Sequence, residues 1–174
     1  DDYRAFSFSS SALGITVNPD GTVVLGQRDY LTESGDNGWT ETYRWDGRGY
    51  VLSEVSFEGP AYDGPAGAVR AYFNALSICL DEGLFDAAYA YLSREFQDQH
   101  PYGDYAAGFA DTMRLVVEKV ELVEERTDGA TVAASILATE EVDGGEELRG
   151  YDVIWQLIRE EGAWRLDQAE VQER

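Results

Sequence analysis

The sequence predicts an α+β protein, in which an antiparallel β-meander precedes a domain built from helices and a second antiparallel sheet. Three observations support this class. Apolar and polar residues alternate with a period of two over residues 1–64. From residue 66 the apolar period changes to nearly four, which is typical of amphipathic helices. After residue 130 the alternation returns, with glycine-containing turns between the apolar runs.

Two glycine-proline pairs, Gly59-Pro60 and Gly64-Pro65, stand where the period changes. Because such pairs interrupt both strands and helices, they mark a boundary between structural elements. We therefore predict two domains, an N-terminal β-module at residues 1–64 and a second domain at residues 65–174.

The β-module contains two hairpin signatures. In the first, Ile15 and Val17 precede the turn sequence Asn18-Pro19-Asp20-Gly21. In the second, the alternating run 39–45 is followed by the turn sequence Asp46-Gly47-Arg48-Gly49. Asn, Asp and Gly are the residues that accept the backbone angles of tight turns, so both segments predict antiparallel hairpins.

Three helices are predicted next. The first ends near Gly83 and presents one apolar stripe, at Val69, Tyr72, Phe73, Leu76, Cys79 and Leu80. The second runs from Leu84 to about Arg94. The third is short, is capped by Asp104, and carries Tyr105, Phe109 and Met113.

The remainder predicts an antiparallel meander. Residues 115–125 are ambiguous, because valines recur every third residue while the β-branched content favours a strand with a bulge. Clear alternation follows in residues 131–138, then in a long strand in which Tyr151 and Trp155 share one face, and then in a closing strand.

This order of elements resembles the nuclear transport factor 2-like superfamily over residues 66–171. The similarity rests on two segments. One is Ala71-Tyr72-Phe73-Asn74-Ala75-Leu76 at the start, and the other is residues 155–166, in which a glycine turn separates two Trp-x-Leu sequences. The second pattern is common in the bacterial secreted or lipoprotein branch of the superfamily. The resemblance implies a cystatin-like cone, with three helices on a strongly curved antiparallel sheet around a cavity. Some members, such as ketosteroid isomerases, transfer protons in that cavity, and many others only bind or dimerise.

Charge excludes several partners. The chain carries 34 acidic and 13 basic residues, a formal net charge of −21. Nucleic acids and anionic membrane surfaces are bound through clustered Lys and Arg, so we expect neither as a partner. No apolar run is long enough to insert into a membrane. The acidic composition and the start at Asp1 favour an extracytoplasmic location, either secreted or anchored as a lipoprotein.

Catalytic candidates are His100, Asp104 and Tyr105. His100 is the only histidine and could serve as a general acid or base, while Asp104 and Tyr105 could supply a carboxyl and a phenol for proton transfer. Each has a simpler explanation, because His100 precedes a proline in a polar loop and Asp104 can cap a helix. A metal site is not expected, since the chain has one histidine and one cysteine and lacks a calcium-loop motif.

The binding candidates are aromatic. Trp39, Tyr43 and Trp45 occupy alternate positions of one predicted strand, and Tyr151 and Trp155 lie on the strand that the resemblance turns toward the cone interior. The stripe in the β-module could bind a partner, a glycan or a peptide. It could also dock the module onto the second domain, which we favour because a small meander has little core of its own.

The sequence thus favours a non-enzymatic, extracytoplasmic bacterial accessory or ligand-binding domain that needs no cofactor and binds a small molecule or a protein. The alternative is a small cavity enzyme, an isomerase, dehydratase or cyclase acting on an apolar carbonyl compound. A third interpretation is a structural homodimer formed through the open face of the sheet.

Overall fold

The computed structural model describes residues 12–28, 38–82 and 85–174. The chain divides into two compact units, Asp1–Gly59 and Pro60–Arg174, here called unit 1 and unit 2. The part of the predicted β-module before Ala12 lies outside the described residues. The domain boundary predicted at 64/65 falls five residues beyond the division between the two units, and it stays a prediction.

Unit 1 is a four-stranded antiparallel meander with the strand order β1-β2-β3-β4. Its strands are short, with bounds at Ala12–Val17 (β1), Val23–Arg28 (β2), Gly38–Trp45 (β3) and Tyr50–Glu58 (β4). Both predicted hairpins are confirmed, because β1 pairs with β2 and β3 pairs with β4 across the two turn sequences. Gly21 and Gly47 have positive φ angles of 85° and 102° there, which glycine adopts without strain.

An aspartate organises each of these turns. In the first, Asp20 Oδ1 accepts hydrogen bonds from the backbone N–H of Thr22 at 3.0 Å and from its hydroxyl at 2.7 Å. In the second, Asp46 Oδ1 accepts from the backbone N–H groups of Arg48 and Gly49 at 2.7 and 2.8 Å. These bonds lower the pKa of both carboxyl groups below the ordinary value of 3.8.

Unit 2 places helices before a second four-stranded antiparallel meander, with the strand order β5-β6-β7-β8. The helices are Gly64–Glu82 (α1), Asp86–Tyr89 (α2), Arg94–Gln99 (α3) and Tyr102–Ala107 (α4). The strands are Thr112–Glu125 (β5), Gly129–Val142 (β6), Gly145–Glu160 (β7) and Ala163–Glu173 (β8).

Helix α1 confirms the first predicted helix. Most of its predicted stripe is buried, including Val69, Tyr72, Phe73, Leu76 and Cys79, while Leu80 is partly exposed. The stripe packs mainly against β5, so its period of nearly four is the signature of a helix laid on one face of a sheet.

The second predicted helix, Leu84 to Arg94, is wrong. Helix α2 has only four residues, and the chain after it pairs with β8 instead of continuing as a helix. Leu166 donates its backbone N–H to the Tyr91 carbonyl at 3.0 Å and accepts from the Ser93 N–H at 2.8 Å. Ser93 then begins α3, because its hydroxyl accepts the N–H of Phe96 as an N-cap.

The third predicted helix is shorter and differently capped. Pro101 occupies the N-cap position of α4, and Asp104 lies inside the helix, so the predicted capping by Asp104 is wrong. The helix ends at Ala107, which leaves Phe109 in the following turn and Met113 in β5.

The predicted fold class is wrong as well. Strands account for 55% of the described residues, and α1 is the one helix among them that exceeds six residues. The described parts therefore form a mostly β protein with two four-stranded antiparallel sheets, and the three-helix cone of cystatin-like, α+β type is not found. The physical reason is that backbone pairing with β8 ends the predicted second helix after the four residues of α2, while the predicted third helix is reduced to α4, which ends at Ala107.

The ambiguous segment 115–125 forms part of β5 and carries bulges. The pairing register with β6 shifts between Val117 and Lys119 and again between Leu122 and Glu124. Because a bulge adds one residue to the repeat of two, Val117 and Val120 both pair with residues of the buried face of β6 although they are three apart. The valine spacing of three is therefore the trace of a bulged strand.

Candidate functional site

A cavity of about 310 Å³ lies in unit 2, between α1 and the inner face of the sheet. The alternation of β6 and β7 creates this face, since every second residue is buried from Ala130 to Ala138 in β6 and from Val153 to Leu157 in β7. Most of its walls are apolar, and they include Phe73 and Leu76 from α1 and Leu115, Ile136, Ala138 and Val153 from the strands.

Two buried tyrosines meet beside the cavity. Tyr105 on α4 donates its hydroxyl to the hydroxyl oxygen of Tyr72 on α1 at 3.2 Å, and Tyr72 lines the cavity. Burial raises the pKa of Tyr72 to about 12 and raises the pKa of Tyr105 as well. Both phenols are therefore neutral near pH 7, and Tyr72, which accepts from Tyr105, keeps its own O–H as a donor.

Trp155 on β7 lines the same cavity and is only 4% exposed. Its ring meets the Tyr72 ring edge to face with the centroids 5.4 Å apart, and it lies 5.9 Å from the Phe96 ring. The indole Nε1 is buried and has no hydrogen-bond partner among the described residues. Such an orphaned donor is uncommon, because buried polar groups are nearly always paired.

Two polar residues of the β6-β7 hairpin, Glu140 and Tyr151, line the cavity, and Arg149 lies beside Glu140. Tyr151 donates its hydroxyl to Glu140 Oε1 at 2.8 Å, while Arg149 Nη1 lies 3.6 Å from Glu140 Oε2. Burial, followed by the hydrogen bond to Glu140, raises the pKa of Tyr151. The Glu140 side chain is 19% exposed, and both of its oxygens have partners.

The three catalytic candidates are dispersed. His100 is exposed at the C-terminus of α3, where its ring packs on Phe96 with the centroids 4.5 Å apart. Asp104 is exposed on α4, and neither residue lines the cavity. Tyr105 is buried and reaches the cavity through its bond to Tyr72.

Among the binding candidates, Tyr151 and Trp155 both line the cavity, while the other three lie in unit 1. There, Trp39 Nε1 and the Tyr43 hydroxyl donate to the two oxygens of Glu41 at 2.9 and 3.0 Å. Glu41 is only 6% exposed, whereas Trp45 is 59% exposed and packs edge to face on Tyr50. The binding and docking roles suggested for this stripe stay predictions.

Two residues that define these sites, Glu41 and Glu140, were not among the candidates predicted from the sequence. Glu41 shares the strand face of Trp39 and Tyr43 by its spacing of two, which was a readable signal. Glu140 gave no signal, because its neighbour Tyr151 is brought to it only by the pairing of β6 with β7.

Within residues 12–28, 38–82 and 85–174, no three acidic, histidine or cysteine side chains are grouped so that they could hold a metal ion. None of the helices that the structure describes combines the length and the apolar character needed to cross a membrane.

Comparison with known proteins assigns neither a family nor a role to this chain. No family model and no curated protein matches the chain. A solved structure of a variant of Rv3472, a function-unknown protein from Mycobacterium tuberculosis, is similar with 13% identity and a TM-score of 0.48, covering 62% of this chain and 70% of that one. The intermembrane space region of the chloroplast protein ARC6 is similar with 16% identity and a TM-score of 0.37, covering 62% and 92%. The resemblance to nuclear transport factor 2-like proteins stays a prediction.

Proposed function

We propose that unit 2 binds a small, neutral and largely apolar molecule in its cavity and acts as a non-enzymatic ligand-binding domain. The observation that carries this proposal is the cavity itself, about 310 Å³ in volume, with mostly apolar walls and a few polar groups. Pockets for small molecules have volumes from about 300 Å³ upward and combine apolar walls with a few placed polar groups.

Charge argues for a neutral ligand. Glu140 is the one charged side chain among the described residues that line the cavity. An anionic ligand would face this carboxylate and the field of a chain with a net charge of −21. A cation would compete with Arg149 for Glu140 and would lie beside apolar walls, where a charge loses its hydration.

Titration with N-phenyl-1-naphthylamine, a neutral apolar dye whose fluorescence rises in dry surroundings, tests the proposal. We expect saturable binding to the wild-type protein. Ala138→Leu extends a side chain into the cavity from β6, and it should weaken dye binding at least about tenfold. Ala133→Leu makes the same substitution on the opposite face of the same strand, where Ala133 lines a separate depression with Ser135 and Asp152, so it should leave dye binding in the cavity unchanged. Weaker dye binding in Ala133→Leu alone would place the dye in that depression.

The melting temperature of each variant separates a filled cavity from a damaged fold. Filling a void adds apolar contacts, so Ala138→Leu should melt at or above the wild-type temperature. Equal dye binding by wild type and Ala138→Leu, with both proteins folded, would contradict the proposal.

A second candidate function is a cavity enzyme that abstracts a proton next to a carbonyl group. One observation favours it, the carboxylate of Glu140 on the cavity wall beside the Tyr151 hydroxyl. A base of this kind would remove an α-proton, place the electron pair on the carbonyl oxygen and return a proton to carbon. Exchange of the α-protons of 1-tetralone with deuterated water, followed by proton NMR, tests this. Acceleration by the wild type that is lost in Glu140→Gln would favour the enzyme, and no acceleration would favour simple binding.

Other roles suggested by the sequence stay predictions. They include the extracytoplasmic location, a protein partner and a homodimer formed through the open sheet face. Sedimentation of the purified protein over a range of concentrations would test the homodimer.

A further inference from the structure

We infer that the ligand of unit 2 carries an uncharged hydrogen-bond acceptor of carbonyl type, and that this oxygen accepts the indole N–H of Trp155. The inference rests on the proposed binding function and deepens it by naming the chemical group that the cavity recognises. It concerns recognition and requires no reaction.

The indole N–H of Trp155 lacks an acceptor among the described residues. Trp155 Nε1 is buried and no described residue accepts its hydrogen, although the ring lines the cavity. An indole nitrogen can only donate, so its need can be met only by an acceptor. Because unpaired buried donors are unfavourable, an acceptor supplied from the cavity would gain a bond without displacing one that the protein already makes.

Tyr72 also favours a carbonyl oxygen as the ligand group. Its ring adjoins that of Trp155, and its hydroxyl oxygen is occupied by the proton of Tyr105, which leaves its O–H as a second donor. A carbonyl oxygen has two lone pairs and no proton of its own, so it is suited to a site of neutral donors. A ligand hydroxyl would in addition need an acceptor, and Glu140, the carboxylate of the cavity wall, is already engaged by Tyr151 and Arg149.

A matched pair of ligands isolates this contact. 1-Tetralone and tetralin share one bicyclic skeleton, and only the first carries a carbonyl group. Their affinities are to be measured by displacement of N-phenyl-1-naphthylamine from the wild type, from Trp155→Phe and from Trp164→Phe. Trp164 is a buried tryptophan of β8 that does not line the cavity, so its replacement is the matched control.

The quantity to compare is the preference for tetralone over tetralin, because loss of ring contacts affects both ligands alike. Removing the N–H in Trp155→Phe should reduce this preference by about fivefold. In Trp164→Phe the preference should be that of the wild type. Tyr72→Phe, which keeps the ring and removes the hydroxyl, should reduce the preference in the same direction.

A spectroscopic readout requires no variant. The indole N–H groups of the four tryptophans give separate nitrogen-proton correlations, and that of Trp155 is assigned by its proximity to the rings of Tyr72 and Phe96. Tetralone should move the Trp155 indole proton to higher frequency, as a new hydrogen bond does, whereas tetralin should not.

The outcomes distinguish two failures. If both ligands bind but the preference is the same in wild type and Trp155→Phe, and the indole proton does not respond to tetralone, the inference is overturned while the binding function stands. If neither ligand displaces the dye and neither perturbs any cavity residue, the proposed function fails and the inference fails with it. A fall in preference together with the indole shift supports the inference.

Discussion

The two sheets of this chain have the same topology, four antiparallel strands in sequence order, but differ in what they can build. Strands in unit 1 have six to nine residues, and those in unit 2 have 11 to 16. The buried apolar side chains described in unit 1 are Leu25, Leu52 and Val55. In unit 2 the inner face is covered by a 19-residue helix, and a partly open cavity lies between the helix and the sheet. Long strands with a helical cover therefore produce both a core and a cavity in unit 2.

The largest effect should come from the core of unit 2. Leu166 on β8 is fully buried, and its backbone also pairs with the segment before α3. Leu166→Ala should lower the free energy of unfolding by about 4 kcal/mol, since a leucine-to-alanine change in a packed core leaves a cavity. The measurement is hydrogen exchange of backbone amides in β6 and β7.

Leu25→Ala in unit 1 provides the comparison. If unit 1 has the smaller core, this variant should lower the free energy of unfolding by about 2 kcal/mol or less, measured by hydrogen exchange of the backbone amides of β2 and β3. Equal losses of unfolding free energy in Leu166→Ala and Leu25→Ala would mean that the cores of the two units are equally well packed.

A smaller loss is expected at Ser93. This buried hydroxyl donates to Asp167 Oδ1 at 2.5 Å and accepts the N–H of Phe96 at 3.0 Å. Ser93→Ala should cost about 2 kcal/mol of unit 2 stability, because it removes both a helix cap and a buried hydrogen bond. Chemical denaturation measures the loss.

Ser135→Ala is its matched control. Ser135 makes a similar bond to Asp152, at 2.7 Å, on the exposed face of the sheet. Its removal should change stability by less than about 0.5 kcal/mol, as surface substitutions usually do. The same loss in both serine variants would show that burial does not decide the strength of these bonds.

Alkaline pH should reveal the buried tyrosine pair of unit 2. The pKa values of Tyr72 and Tyr105 lie above the ordinary 10.0, so the unfolded chain ionises first as the pH rises. Stability is therefore fully present below pH 10 and falls above it, by about 1.4 kcal/mol per pH unit for each tyrosine that stays protonated in the folded state. Denaturation at several alkaline pH values measures this slope.

Tyr72→Phe removes one of these groups and should make the alkaline decline shallower. An unchanged slope in this variant would mean that Tyr72 ionises in the folded protein at the same pH as in the unfolded chain. Tyrosinate absorbance of the folded protein provides an independent reading of the same titration.

The smallest effect should occur at a turn of unit 1. Because backbone N–H groups hold the pKa of Asp46 below 3.8, its contribution is present above that pH and is lost as the pH falls through the lowered value. Acid should therefore lower the protection factors of the Arg48 and Gly49 amides, which compare their exchange rates with those of the unfolded chain at the same pH. Asp46→Asn should weaken this dependence on pH. An unchanged dependence in the variant would show that a group other than Asp46 causes it.

Local features of the fold could be predicted from the sequence. The turns at Asp20 and Asp46, the stripe of α1 and the meander of β5-β8 are determined by residue types within a few positions of one another. The helices after α1 could not be predicted in the same way. Leu92 lies in a helical pattern of apolar residues. Its backbone nevertheless forms a β-bridge with Leu166, which is distant in the sequence, so the residues around Leu92 do not predict the pairing.

The candidate site also combines residues that could be predicted from the sequence with residues that could not. Tyr151 and Trp155 could be chosen because they share one face of a strand by simple alternation. Their partners Glu140 and Tyr72 are separated from them by many residues, and only strand pairing and helix packing bring them together. A cavity depends on what the side chains leave unfilled, which no single residue encodes.

Intermolecular nuclear Overhauser effects between 1-tetralone and the methyl groups of the labelled protein locate the bound ligand. Ligand binding in the cavity of unit 2 predicts contacts to the methyl groups of Leu76, Leu115 and Ile136. Contacts confined to methyl groups of unit 1, or to exposed positions such as Val123, would contradict the account.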